Sequence, residues 1–359
     1  MKSEPFEIAG RRVGPDEPPF VIAELSGNHN RSLKRALAII DASADAGADA
    51  VKLQTYTADT MTLDLREREF VIDDPASLWH GRSLYDLYDE AHTPWDWHAA
   101  LFERARERGV ILFSTPFDDS AVAFLETLRC PAYKIASFEN TDTRLLRTVA
   151  RTGKPIIISV GMASLAEIDQ AVATCRSEGN DRIVLLKCTS TYPAEPADSD
   201  LRTIPHLRDA FGVQVGLSDH TLGIGVAVAA VALGASVIEK HVTMRRAEGG
   251  VDAAFSLEPD ELRALVEETK RAHASLGTVR YGGSAAEQGS KQFRRSLYVS
   301  ADLRAGDVLG PENLRAIRPG YGLSVAEYDR VLGMTVRRDV PRGSALDWGM
   351  LRAEPDAGE

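Results

Sequence analysis

AYKIASFENTDTRLLRTVARTGKPIIISV, residues 132–160, reads as strand, helix, strand. AYKIAS (132–137) and PIIISV (155–160) are short apolar runs. The amphipathic run between them, about 143–152, predicts a helix that Gly153 closes. A helix between two such strands makes them parallel neighbours. The same rhythm extends in both directions. Further strands are expected at FVIAEL (20–25), AVKLQTY (50–56), ILFSTP (111–116), IVLLKCT (183–189), QVGLSD (214–219) and VIEKHVT (237–243). Helices are expected at about 31–46, 93–108, 118–129, 165–178, 201–211, 224–234 and 258–276, with Asp118 and Asp119 opening one, Gly109 closing another and Pro259 in the first turn of the last. Eight strand–helix units over roughly 250 residues predict an α/β fold, a (β/α)8 TIM barrel. A doubly wound sheet is the rival, but ELSGNHN after the first strand is not a Gly-rich phosphate loop.

After Gly277 the rhythm stops. VRYGGSAAEQGSKQF is Gly/Ser-rich and polar, and short strands with frequent turns follow it. The expected organisation is a barrel over 1–280, a linker over 281–291 and a small module over 292–359, short enough to need support from a partner. Between Tyr56 and Thr93 about 36 residues stand where a βα loop normally has 2–6. Carrying Phe70, Trp79, Tyr85 and Tyr88, this insertion reads as a lid or hairpin at the catalytic end of the barrel.

Hydrophobic residues make up 44% of the 359 and charged residues 26%, which is globular composition. The 53 acidic and 42 basic side chains give a net charge of -11, which disfavours nucleic acid and anionic lipid as partners. The three cysteines are odd in number and far apart, so neither a disulfide framework nor a Cys-rich zinc site is expected, and a cytoplasmic location is. MKSEPFEIAG has no apolar core of a signal peptide, and the longest apolar run, 224–233, is too short to span a bilayer.

Side-chain parity locates the chemistry. Residues two apart on a strand share a face. With Val51, Leu53 and Thr55 turned to the helices, Lys52, Gln54 and Tyr56 point into the barrel, as do Ile22, Glu24 and Lys134. Ser218 and His220 share a face, and so do Glu239 and His241. Lys240 then faces the helices, where an ammonium needs a partner that the sequence does not identify. One inward charge alone could be half of a structural pair. Lys52, Lys134, Glu24 and Glu239 converging on one mouth read as an active site, and two lysines in an otherwise acidic protein point to an anionic substrate, a phosphate or carboxylate. His220 and His241 end adjacent strands, where two imidazoles can ligate one metal and leave positions open to water and substrate. Taken singly, each histidine is more often a structural residue. His29 and Asn30 either add polar contacts or form a capped turn.

Ordered segments along the chain carry a resemblance. They are IAELSGNHN (22–30), AVKLQTYTADTMTLD (50–64), FSTPFD (113–118), YKIASFE (133–139), SVGMAS (159–164), LKCTSTYPA (186–194), GLSDHTLG (216–223), IEKHVT (238–243) and GGVDAAFSLEP (249–259). With them the chain resembles the sialic acid synthase family, whose members condense phosphoenolpyruvate with an acetamido sugar. The tail, with FRRSLYVSADLRAGDVL and IRPGYGLS, resembles the antifreeze-like (SAF) domain that ends these synthases. Ser190 stands where sialic acid synthases usually show Asn, and with LSGNHN and QTYTADTMTLD it resembles the pseudaminic acid branch.

The resemblance implies roles at matching positions. Lys52, Lys134, Ser137, Ser159 and Ser218 resemble phosphoenolpyruvate contacts, with Tyr192 and Ser190 lining the same site. His220 and His241 resemble the ligands of a divalent metal, manganese or magnesium, and Glu24, Gln54, Glu239 and Asp252 the polar residues around metal and sugar. Arg318 resembles the arginine that the C-terminal domain of one subunit delivers to its partner's site, which implies a domain-swapped homodimer. In catalysis, Glu24 is the candidate for handling the proton of an attacking water. Three rivals stand beside this reading: an N-acetylneuraminate or legionaminate synthase using a D-sugar, another metal aldolase or phosphoenolpyruvate-dependent barrel synthase, and a non-catalytic sugar-binding protein.

Overall fold

A computed structural model describes residues 4–352. A hairpin comes first, β1 (Phe6–Ile8) against β2 (Arg11–Val13). Eight strands follow: β3 (Phe20–Glu24), β4 (Ala50–Thr55), β5 (Ile111–Pro116), β6 (Tyr133–Ile135), β7 (Ile156–Ser159), β8 (Ile183–Cys188), β9 (Gln214–Asp219) and β10 (Val237–His241). Each pairs in parallel with the next, and β10 returns to β3, which closes a (β/α)8 barrel. All eight lie within the expected runs. Their apolar residues are buried on both faces because helices cover the outside and side chains fill the inside.

Local chemistry sets the helix ends. Asp118 accepts from the Ser120 and Ala121 amides and caps the helix Asp119–Thr127. Ser164 and Glu167 form a capping box on Leu165–Ser177. Gly109 closes His98–Arg108 in the left-handed region, and Pro259 opens Pro259–Leu276. Gly216 of β9 is fixed by close approach. A Cβ there would lie 2.2 Å from the Val237 carbonyl oxygen and 2.7 Å from Leu186 Cδ2.

The hairpin is not expected from the sequence. It adds Ile8 and Val13 to the barrel core, and Arg11 Nε donates to Asp49 Oδ1 at 2.9 Å, just before β4, which anchors it at the N-terminal end of the barrel. At the opposite end, the insertion after β4 folds into a short helix (Ala58–Met61), a β-bridge between Val71 and Ser83, and a second helix (Leu84–Ala91).

The chain divides after Gly277. The second unit pairs β11 (Ser296–Val299) with β12 (Leu314–Ile317) in antiparallel fashion and buries its own core around Leu297, Val299, Leu314, Val331, Val336 and Leu346. Within the stretch read as a linker, Ala285–Phe293 forms an exposed 3-10 helix. Among the described residues no helix is long and apolar enough to cross a membrane.

Candidate active site

The C-terminal ends of the barrel strands open into a cavity of about 690 Å3. The parity of β3, β4, β6 and β10 delivers Glu24, Lys52, Gln54, Lys134, Glu239 and His241 to it. Ser218 points in from β9, and the segments that follow the strands add Ser137, Tyr192, His220 and Asp252. Ser159 and Ser190 complete the set, so the barrel residues expected to bind substrate or metal or to act in catalysis all line this one cavity.

Glu24 and Glu239 bracket the two lysines. Lys52 Nζ lies 2.5 Å from Glu24 Oε2 and 3.9 Å from Glu239 Oε1, and Lys134 Nζ lies 3.6 Å from Glu239 Oε1. Lys52 also donates to Thr115 Oγ1 at 3.0 Å. Burial opposes charge on Lys52, but Glu239 and Glu24 outweigh it and hold the pKa above the ordinary lysine value. Burial dominates at Lys134 and lowers its pKa. At Glu239 burial is outweighed by the pull of Lys134 and Lys52, which lowers the pKa, whereas burial prevails at Glu24 and raises it. The locally positive mouth expected from the two lysines is instead a cluster in which each lysine faces a glutamate.

Hydroxyls surround this cluster. Ser218 donates to Glu239 Oε1 at 3.1 Å and Ser190 to Ser137 Oγ at 2.8 Å. Ser159 Oγ and Glu239 Oε2 are buried without a hydrogen-bond partner among the described residues. Unsatisfied groups in a cavity are costly unless a ligand completes them. Gln54 donates to Glu24 Oε1 at 2.9 Å and to Ser26 Oγ at 3.1 Å, and Ser26 donates to Asp252 Oδ2, so a polar chain links the lysine cluster to the Asp252 side.

The histidines stand together, with ring centroids 5.3 Å apart. Nδ1 of His220 donates to the Thr189 carbonyl at 2.8 Å, which fixes the ring and turns Nε2 the other way. Nδ1 of His241 is buried without a hydrogen bond, 3.6 Å from Asp252 Oδ2. Burial, then the charge near His220 and the lysines, holds the His241 pKa well below its usual value, so the ring is neutral. Burial lowers the His220 pKa, but the Cys188 thiol and the Thr189 carbonyl outweigh it and hold the pKa above the usual value. Two imidazoles side by side, one of them neutral with an orphaned nitrogen, fit a divalent metal that takes its other ligands from water and substrate. Among the described residues no group of three or more His, Cys, Asp or Glu side chains forms a complete protein-only metal site.

Several lining residues were missed from the sequence. Cys188 lies at the end of β8, so parity could have found it, as it could Thr115 on β5, which accepts from Lys52 behind the lining; Glu139 lies in a loop beyond β6, where parity has no purchase. Burial pushes the Glu139 carboxyl up to about 7, against the pull of Lys134. The inserted lid supplies an apolar wall of Met61, Ile72, Leu84 and Leu87. Trp79 and Tyr88 also line the cavity, whereas Phe70 and Tyr85 do not, and the Tyr85 hydroxyl donates to Asp59. His29 is fully buried against Trp97, and Asn30 donates to the Gly249 carbonyl, so neither lines the cavity.

In the second unit Arg318 is exposed and makes no ion pair or hydrogen bond among the described residues. Its loop is held by Ser296, which donates to the Pro319 carbonyl at 2.7 Å and accepts from the Gly322 amide at 2.9 Å.

Comparison with known proteins agrees with this architecture. Residues 294–352 match the SAF domain. The chain is 42% identical to the pseudaminic acid synthase of Campylobacter jejuni over 334 residues, which cover 93% of this chain and 97% of that one. It is 43% identical to the pseudaminic acid synthase of Helicobacter pylori over 332 residues, covering 92% and 97%. Among solved structures, the N-acetylneuraminic acid synthetase of Leptospira borgpetersenii in complex with citrate superposes with a TM-score of 0.72 at 33% identity, over 80% of this chain and 95% of that one. Residues 39–281, which carry most of the barrel and its cavity, match the NeuB family, and the chain belongs to it.

Proposed function

We propose that this chain is a pseudaminic acid synthase, condensing phosphoenolpyruvate with 2,4-diacetamido-2,4,6-trideoxy-L-altrose and water to give pseudaminic acid and phosphate. The observation that carries the reading is one cavity holding two buried lysines, serine hydroxyls and a histidine pair beneath an apolar lid wall. Identity to two pseudaminic acid synthases at 42% and 43% over nearly the whole chain supports this sugar over the D-configured ones. A sugar without a C6 hydroxyl suits Met61, Ile72, Leu84 and Leu87, which offer no hydrogen-bond partner to one.

Lys52 and Lys134 hold the phosphate and carboxylate of phosphoenolpyruvate, with Ser137, Ser159 and Ser218 donating hydroxyls and Tyr192 and Ser190 lining the same site. His220 and His241 would hold a divalent ion, Mn2+ or Mg2+, which supplies Lewis-acid polarisation of the sugar aldehyde when bound. Gln54 and Asp252 orient the sugar beside it. The C2–C3 double bond of phosphoenolpyruvate supplies the electron pair for a bond from C3 to the aldehyde carbon, the aldehyde oxygen keeps the carbonyl pair and takes a proton from solvent, and C2 becomes electron-poor. Water adds to C2 and Glu24 takes its proton. The C2–O bond to phosphate then breaks as the C2 hydroxyl gives up its proton to the leaving phosphate and becomes the ketone carbonyl, and Glu239 keeps both ammoniums in place.

The second unit completes the site from a partner chain. Support comes from an unpaired Arg318 on a fixed loop and from exposed Phe138, Met162 and Leu222 on the segments that follow β6, β7 and β9. Arg318 grips the N-acetyl carbonyl, which makes the working enzyme a domain-swapped homodimer. Three buried, free cysteines suit the reducing cytoplasm.

The test is phosphate release from phosphoenolpyruvate with 2,4-diacetamido-2,4,6-trideoxy-L-altrose and, separately, with N-acetylmannosamine. Release with the first alone is expected. Release with the second alone assigns a sialic acid synthase instead. Release with neither, despite sugar binding, leaves a sugar-binding protein.

A further inference from the structure

The buried ammonium of Lys240 has no role in the reaction above. It projects from β10 away from the cavity, between the barrel and its helices, and its side chain is wholly buried. Asp219 lies directly opposite it on β9. Lys240 Nζ donates to Asp219 Oδ2 at 2.8 Å and to the Thr221 carbonyl at 2.7 Å. The other carboxylate oxygen, Asp219 Oδ1, accepts from the Thr221 amide at 2.9 Å and from its hydroxyl at 2.8 Å. Both neighbours of His220 are therefore held by one buried ion pair. His220 itself is tied by its ring to the Thr189 carbonyl and by its own carbonyl to the Ala194 amide at 3.1 Å.

Burying two charges is costly, and an apolar pair of similar size often supports a fold equally well. Stability alone is thus a weak reason for this pair. Its geometry has a more specific consequence, because it closes the turn 219–221 from outside the barrel and so sets where His220 enters the cavity. The neighbouring residues along β10 are Glu239 and His241, so the same clamp also pins the strand that carries the second imidazole.

We propose that Lys240 and Asp219 are positioning residues that hold the turn 219–221, and through it His220, in the geometry that receives a divalent cation. The inference rests on the metal reading of the histidine pair. An ammonium and a carboxylate on the outer face set the spacing of two imidazoles on the inner face, without touching substrate or ion. Outer partners of this kind commonly alter metal affinity by about 10–100-fold.

The experiment uses the full chain stripped with chelator and titrated with Mn2+, free ion being followed by its EPR signal. Phosphoenolpyruvate binding without metal is measured in parallel by calorimetry. The variants are the apolar double replacement Asp219→Leu/Lys240→Met and the shape-preserving Asp219→Asn. Val149→Ala, in a remote buried helix position, controls for simple loss of stability. The double variant and Asp219→Asn should each weaken Mn2+ binding at least about tenfold, with phosphoenolpyruvate affinity within about threefold of wild type. Val149→Ala should lower the melting temperature and leave Mn2+ affinity alone. If the double variant does not fold, Asp219→Asn decides. Folded variants with unchanged Mn2+ affinity overturn the positioning role and leave the metal reading intact. Failure of the wild-type chain to bind Mn2+ or Mg2+ overturns the metal reading and this inference together.

Discussion

The Trp79 indole donates to the Val251 carbonyl at 3.1 Å and stitches the inserted lid to the segment that follows β10. Its ring lies 5.8 Å from that of Tyr192, so the lid and the loop after β8 meet over the cavity at this side chain. Trp79→Ala removes a wall and a tether at once. Its expected effect is a rise of about tenfold in the sugar's KM with a smaller change for phosphoenolpyruvate. Tyr85→Ala, on the far face of the same lid, should leave both constants within about twofold. Equal effects of Trp79→Ala on the two substrates would return the residue to a packing role. Steady-state kinetics with each substrate varied in turn makes the distinction.

Glu24→Gln tests the proton acceptor. The amide keeps the size of the side chain and its contact with Gln54, but it cannot take a proton from water. Turnover should fall by about 10²–10⁴-fold, with phosphoenolpyruvate affinity retained. Near-normal turnover would remove Glu24 from that role.

Glu139 supplies a pH dependence of stability. Burial raises its carboxyl from 4.5 to about 7 in the folded protein, so the native state favours the protonated form. Between those two values the folded chain binds more protons than the unfolded one, and this group's contribution to stability falls as pH rises. Above about 7 the loss is complete, on the order of 2 kcal/mol after allowance for partial exposure. Glu139→Gln should accordingly melt higher than wild type at pH 8 and nearly match it at pH 5, with ligand absent. A constant difference at both values would show that the group is not titrating across this window.

Subunit complementation tests the arginine supplied by a partner. In a mixed dimer of Lys52→Ala and Arg318→Ala chains with exchanged tails, one site carries both defects and the other neither. Random exchange should restore about a quarter of wild-type activity. A mixture that stays inactive after demonstrated exchange would place Arg318 outside the site.

The barrel was legible because parallel strands buried on both faces announce themselves as unbroken apolar runs, and parity then turned Lys52, Gln54 and Lys134 inward. Other features depend on information that no local pattern holds. The partner of Lys240 is fixed by the register of β9 on β10, a relation between strands. The hairpin of β1 and β2 has strands of three residues, too short for any periodicity to show. Tyr85 and Tyr88 were indistinguishable for a plainer reason. Their segment is a helix, on which Leu84, Leu87, Tyr88 and Ala91 form the stripe toward the cavity and Tyr85 falls outside it. Read only as a lid or hairpin, the segment offers no basis for choosing between Tyr85 and Tyr88.

The pairing of Lys52 and Lys134 with Glu24 and Glu239 bears on how an anion enters. The lysines already have counter-ions in the cavity, so arrival of phosphoenolpyruvate is an exchange of partners and not the filling of a positive hole. A singly charged salt anion offers the lysines little that the glutamates do not. A molecule bearing both a phosphate and a carboxylate can engage both ammoniums at once and meet the waiting serine hydroxyls. Discrimination against the abundant small anions of a cell is thus contained in the resting ion pairs themselves, at the expense of some affinity.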